Sequence, residues 1–220
     1  MLYVLAKNPI NNYRRIVRIR KWISVGSAYA VGIRFHITYE APIDWSKRYI
    51  ICPNHTSILD ITVLTFLCPQ EFSFIGKAEL LKNPITRLFF QSIDIPVNRD
   101  SKISAFKAYK QAEELVKKGK SIVIFPEGKI DDEYPPMLHP FKPGAFRMAE
   151  EQQVDILPVV IHNAWKLAWD DGVKLGSKPG VIQVTVLTPI SPNHKLEAQF
   201  TTIESQVYSK MNKIWKEQPQ

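Results

Sequence analysis

The 220-residue chain holds only two cysteines, Cys52 and Cys68, and no CxxC pair. That excludes a disulfide-stapled scaffold and the common zinc-ribbon and thioredoxin patterns. It fits a reducing compartment. No cluster of histidine, cysteine and acidic residues has metal-ligand spacing. Internal repeats, low-complexity tracts and dividing linkers are also missing, and no N-terminal stretch carries a clear signal-peptide cleavage site. Long apolar runs are scarce. The most prominent near the N-terminus, Trp22 to Ile33, is flanked by Lys21 and Arg34. It is shorter than the about 20 residues a spanning helix needs.

Acid is absent from the first 39 residues, which carry Lys7, Arg14, Arg15, Arg18, Arg20, Lys21 and Arg34. The rest of the chain is nearly balanced, with 22 basic and 21 acidic residues, so most of the net charge of +8 sits at the N-terminus. A solvated basic arm, a nucleic-acid-binding arm and an anionic-membrane-binding arm all fit that charge. The Trp22–Ile33 stretch would let the segment lie in a membrane interface, with Trp22 and Tyr29 at headgroup depth. A packed helix is the competing reading. Its apolar pattern of Tyr13, Ile16 and Val17 is broken by Arg20.

At 45% hydrophobic and 23% charged, the chain has the composition of a globular domain. Short buried-looking strands alternate with helical patterns. Strands are predicted at 48–53, 72–76, 93–97, 156–161 and 181–187, with a further strand running into a loop over 121–128. Helices are predicted at 56–67, 102–118, 144–152 and 197–216. Pro53 ends the first strand and Pro96 marks an edge strand. Ser101 is a plausible N-cap, and Gly119 stops the helix that Ile103, Phe106, Tyr109, Ala112 and Val116 stripe. This alternation predicts one α/β domain over 41–220, with a largely parallel mixed sheet flanked by helices. Residues 1–40 are expected to form a basic, partly apolar membrane-surface segment. Ligands of such sheets bind beyond the carboxyl ends of the strands.

Four post-strand loops carry chemistry. "CPNHTSILD" places His55 in a turn and Asp60 at the start of a helix. Within one helix, five residues turn about 500°, and the two side chains would diverge. A bend between them lets Asp60 hold His55 Nδ1 and leaves Nε2 as a general base. The blander reading is a hydrogen-bonded turn histidine beside a helix-start charge. The other loops offer Lys77, Arg99, and Glu127-Gly128-Lys129. Lys77 and Lys129 could instead be solvated, Arg99 could pair with Asp94 or Asp100, and Glu127 could form a structural ion pair.

The ordered set of Asn54-His55 with Asp60, Arg99, Phe125-Pro126-Glu127-Gly128 and Leu157-Pro158-Val159 resembles the lysophospholipid acyltransferase family, which includes the 1-acylglycerol-3-phosphate acyltransferases. "FKPGAFRMA" (141–149) looks like the family's segment after the FPEG loop. The resemblance spans about residues 48–190. It implies transfer of an acyl chain from a thioester of CoA or of a carrier protein to a lysophospholipid hydroxyl, without metal or bound cofactor. It implies His55 as base, Asp60 as its orienting partner, and Lys77, Arg99, Glu127, Gly128 and Lys129 as acceptor-binding residues. It favours the membrane over nucleic acid as partner of the basic segment, and so predicts a peripheral protein on the cytoplasmic face of the cell membrane. Two positions depart from the family pattern. Lys129-Ile130 stand where Thr-Arg is usual, and Ser92 where glycine is common, which leaves the acceptor headgroup open. A non-catalytic lipid-binding protein is the rival reading. A hydrolase would need Cys52 or Ser57 as nucleophile, and neither lies in a nucleophile-elbow sequence.

Overall fold

The computed structural model describes residues 2–130, 133–169, 176–193 and 202–217. In chain order the elements are α1 (Leu2–Ala6), α2 (Pro9–Ala30), β1 (Ile33–Tyr39), β2 (Ile50–Pro53), α3 (Leu59–Leu67) and β3 (Phe72–Lys77). After a short 3-10 turn, Ala78–Lys82, come α4 (Pro84–Phe90), β4 (Ile95–Val97), α5 (Lys102–Lys117) and β5 (Ser121–Val123). The remainder is α6 (Gly144–Gln152), β6 (Ile156–Ile161), α7 (Ala164–Leu167), β7 (Gly180–Val186) and α8 (Ile203–Lys216). The closing helix was expected from residue 197; residues 197–201 lie outside the described residues.

Among the described residues the strands form a 7-stranded sheet in the order β1-β7-β6-β2-β5-β3-β4. The block from β6 to β4 is parallel throughout. β7 joins β6 antiparallel, and β1 runs parallel to β7, so the sheet is mixed as expected. The parallel strands read as continuous apolar runs because both their faces are covered; all six residues of β6 are buried. On one face lie side chains of α2, α3, α4 and α7, with Val63, Leu64 and Phe89 in that core. On the other lie α5, α6 and α8, contributing Ala112, Met148 and Val207. Pro96 sits on β4, at the sheet edge.

Local chemistry sets several boundaries. Ser101 caps α5 by accepting the Ser104 N–H, and Gly119 ends it with φ +81°, a left-handed conformation that suits glycine. The predicted stripe of α5 is only partly internal. Ala112 and Val116 are buried, but Ile103 and Phe106 are 70% and 63% exposed.

The N-terminal 40 residues are woven into this unit. β1 is the sheet's other edge strand, paired with β7 over its whole length. α2 lays Tyr13, Ile16, Val17 and Ala28 onto the core. Arg20, which broke the apolar pattern, is also buried. Its Nη1 donates to Asp94 Oδ1 at 2.6 Å and its Nη2 to the Phe72 carbonyl at 3.0 Å. The guanidinium lies over the rings of Phe72 and Phe74, at 4.2 and 4.9 Å. Asp94 is therefore taken by Arg20, and the expected alternative of an Arg99–Asp94 pair is corrected. A boundary at residue 40 does not separate an appendage from a domain. What remains outward on α2 is apolar as well: Ile10 and Trp22 are both largely exposed. No helix among the described residues is long and apolar enough to cross a membrane.

Candidate active site

Four adjacent strands, β2, β5, β3 and β4, end on the same edge of the sheet, and each is followed by one of the loops singled out in the sequence. β2 stops at Pro53. Asn54 then grips the end of β6 with both ends of its amide: Oδ1 accepts the Ile161 N–H at 2.7 Å, and Nδ2 donates to the Ile161 carbonyl at 3.0 Å. This anchors the turn that carries His55.

The bend between His55 and Asp60 is made by the carboxylate itself. Asp60 Oδ2 accepts from the Thr56 N–H at 2.7 Å and the Ser57 N–H at 2.9 Å, and lies 3.1 Å from His55 Nδ1. Ser57 Oγ accepts the Leu59 N–H and donates to the Ala168 carbonyl. With those amides committed, the helix starts at Leu59 rather than at about residue 56. The Asp60 side chain is fully buried and that of His55 only 11% exposed. The His55 ring stacks on Phe125, with centroids 3.9 Å apart and planes 24° apart. An imidazole fixed at Nδ1 by a buried carboxylate presents Nε2 for proton transfer, and any imidazolium formed is held by a negative charge.

Glu127 follows β5 and is turned inward, 3% exposed. Its Oε1 accepts the His55 N–H at 2.7 Å and its Oε2 the His139 N–H at 2.8 Å. The carboxylate thus ties the His55 turn to the 138–142 strap. Gly128 has φ +74°, and a Cβ there would come within 2.8 Å of Lys142 Nζ. The left-handed backbone there suits glycine, and any side chain would also have to push the Lys142 ammonium aside. Lys142 also donates its backbone N–H to the Pro126 carbonyl. It adds a cation to this loop that the sequence reading did not include. Its only signal was its place in FKPG, after the FPEG motif.

Lys77, Arg99 and Lys129 are all exposed. Lys77 pairs in register with Val97, two residues before Arg99, so these two cations sit on neighbouring strand ends. Burial of the Arg99 stem lowers its pKa from the usual arginine value, while nearby Glu79 opposes that shift. The loops stand at different distances from His55. Lys129 is one strand away, Lys77 two and Arg99 three. At about 4.8 Å per strand, the Arg99 loop lies roughly 14 Å from the His55 turn. A cavity of about 210 Å³ opens beside the Phe125-Pro126 corner. Ile75, Val97, Ala108, Tyr109 and Met148 line it between the sheet, α5 and α6.

The alternative nucleophiles are unavailable to a substrate. Cys52 is fully buried among the side chains of the α5–α6–α8 face, and burial pushes its thiol pKa far up. Ser57 is fully buried and its hydroxyl is occupied.

Both the sequence and the fold match known proteins. Residues 33–162 match the Acyltransferase family model, and the chain belongs to that family. It is 31% identical over 141 residues to the human 1-acyl-sn-glycerol-3-phosphate acyltransferase beta, covering 63% of this chain and 50% of the relative. It is 31% identical over 153 residues to the 1-acyl-sn-glycerol-3-phosphate acyltransferase of Borreliella burgdorferi, covering 68% and 57%. The chain thus spans about half the length of these curated relatives. The crystal structure of the 1-acyl-sn-glycerophosphate acyltransferase PlsC from Thermotoga maritima superposes with a TM-score of 0.73. That match covers 94% of this chain and 81% of the other, at 20% identity, and establishes the shared fold.

Proposed function

We propose that the protein transfers a fatty acyl chain from an acyl thioester to the free hydroxyl of a lysophospholipid, in the first place 1-acyl-sn-glycerol-3-phosphate, giving phosphatidic acid. The observation that carries this reading is the buried Asp60 carboxylate 3.1 Å from His55 Nδ1 at the strand ends. The names of the relatives supply the acceptor. His55 Nε2 takes the proton from the acceptor hydroxyl as its oxygen attacks the thioester carbonyl. The carbon–sulfur bond breaks as the ester forms, and the imidazolium returns the proton to the leaving thiolate. The donor thioester, on CoA or on a carrier protein, is a co-substrate, and no resident cofactor takes part. General-base help of this kind contributes about 10²–10⁴ in rate.

The acceptor phosphate falls to the cations of the neighbouring loops. A phosphate attached to the same glycerol as the attacking hydroxyl stays close to His55. Lys129 and Lys142, on the nearest loop, are better placed for it than Arg99 at roughly 14 Å. Lys77 and Arg99 would steer the anion inward. Glu127 acts through the loop it ties, and Gly128 by letting that loop close. The apolar cavity beside Phe125 suits an acyl chain. The N-terminal segment places the protein on the cytoplasmic face of the membrane, with Trp22 and its basic neighbours at the interface.

A second reading keeps the chemistry and changes the acceptor, because Ile130 stands where the family offers a guanidinium fork. One assay tests both. Purified protein and its His55→Ala variant are given acyl-CoA or acyl carrier protein with a panel of lysolipids, and products are read by mass spectrometry. Phosphatidic acid from wild type, and none from a folded His55→Ala variant, is the expected result. Faster turnover of a lysolipid without a terminal phosphate would replace the acceptor. Lipid binding without turnover of any acceptor would make the protein a non-catalytic binder.

A further inference from the structure

Three short segments on the strand-end edge expose apolar side chains that the core does not use. Leu80, in the 3-10 turn after β3, is 38% exposed; Ile85, in the first turn of α4, is 58% exposed. Ile103 and Phe106, in the first turns of α5, are more exposed still. Parallel topology places all of these elements' starts on the same edge as His55, because each follows a strand of the parallel block. Ile103 and Phe106 are three residues apart and share a helix face, away from the buried Ala108 and Ala112. A helix that buried them would gain stability; this one leaves them outside.

Charge accompanies these side chains. Lys82, Arg87, Lys102 and Lys107 are exposed in the same three segments, and Lys77 and Arg99 in the strand ends leading into them. The exposed acids there are Glu79 and Asp100, since Asp94 is buried against Arg20. The rim is therefore apolar and cationic together, a combination that suits an interface of acyl chains and anionic headgroups.

We propose that this rim, formed by the 3-10 turn after β3 and the N-terminal turns of α4 and α5, is a second membrane-docking surface, distinct from the N-terminal segment. It seats the strand-end edge on an anionic bilayer. The apolar groups are spread over three segments that flank the cationic loops, which a broad lipid surface covers better than a compact protein partner. The inference deepens the proposed function: an acceptor that resides in the bilayer would enter the site without crossing water.

The test uses the buried state of both native cysteines. Ile103→Cys takes an environment-sensitive thiol label selectively, and Lys118→Cys, at the far end of α5, serves as control. The probe vesicles contain phosphatidylcholine and phosphatidylglycerol, with or without brominated acyl chains. The label at position 103 is expected to shift blue and to be quenched by the brominated chains, while that at 118 does neither. In the unlabelled full chain, Ile103→Ser with Phe106→Ser should lower vesicle affinity about tenfold or more without changing the melting temperature. An unshifted label at 103 on vesicles that still bind the protein would overturn the proposal, leaving the N-terminal segment as the sole contact. A shift with acyl carrier protein and none with vesicles would also overturn it, in favour of a protein partner. Vesicle binding is read without turnover, so failure of the acyl-transfer assay overturns the function and leaves this result standing.

Discussion

Replacing Glu127 by glutamine separates two roles that a glutamate in this loop can have. The carboxylate is 3% exposed and its two oxygens each accept a backbone N–H, from His55 at 2.7 Å and from His139 at 2.8 Å. A glutamine keeps one acceptor. Its amide group must then point a donor at one of the two backbone donors. One charge-assisted hydrogen bond is lost, at about 1.5–3 kcal/mol, and a buried donor is left facing another, at about 1–3 kcal/mol. Together the cost is about 2.5–6 kcal/mol. For a chain of this size each kcal/mol moves the melting temperature about 2–4 °C, so Glu127→Gln should melt roughly 10 °C lower. Turnover should fall with it, through kcat, because the His55 turn loses its tie to the strap. The assay is calorimetry beside steady-state kinetics. A variant melting within about 2 °C of wild type, with a raised acceptor KM and unchanged kcat, would refute the reasoning and return Glu127 to acceptor binding.

Two further substitutions follow from the same geometry. Asp60→Asn can keep all three hydrogen bonds on the oxygen that replaces Oδ2, but it removes the charge that holds the imidazolium; kcat should drop roughly 10²–10⁴-fold while the folded state survives, and near-normal kcat would show that this charge is not needed. Cys52→Ala should retain turnover, and intact-mass spectra of wild type given donor alone should show no acyl adduct; a thioester on Cys52 that passes its chain to acceptor would sink direct transfer.

What could be read in the sequence was what short-range chemistry determines. Ser101 and Gly119 bound α5 because capping is settled within a few residues. The 144–152 helix and the 156–161 strand fall where their patterns put them. The His55–Asp60 contact was legible because a proline-ended strand and a helix start leave room for one bend. What failed depended on distant partners. β1 was missed because its pairing residues begin at Gly180, and nothing near Ile33 announces them. Arg20 looked like a fault in an amphipathic pattern because its partner, Asp94, lies 74 residues on. Ile103 and Phe106 satisfy helical periodicity and are nonetheless exposed, since periodicity marks an apolar face without saying what covers it. Lys142 carried no sign of its place over Gly128 except proximity to a motif.

The buried Arg20–Asp94 pair also constrains the order in which this molecule can be made. A ribosome releases Arg20 well before Asp94 exists, and β1 well before its partner β7. Until residues 72–94 have emerged, α2 has no anion to neutralise Arg20 and no Phe72 or Phe74 to cover it. For that interval the basic N-terminal segment carries a cation whose partner has not yet been made, beside Ile10 and Trp22, which stay exposed even in the folded chain. The sheet is therefore complete only when β7 has emerged to pair with β1. The last strand to arrive closes the first one in, so the N-terminal edge of the sheet is the last part of it to be finished.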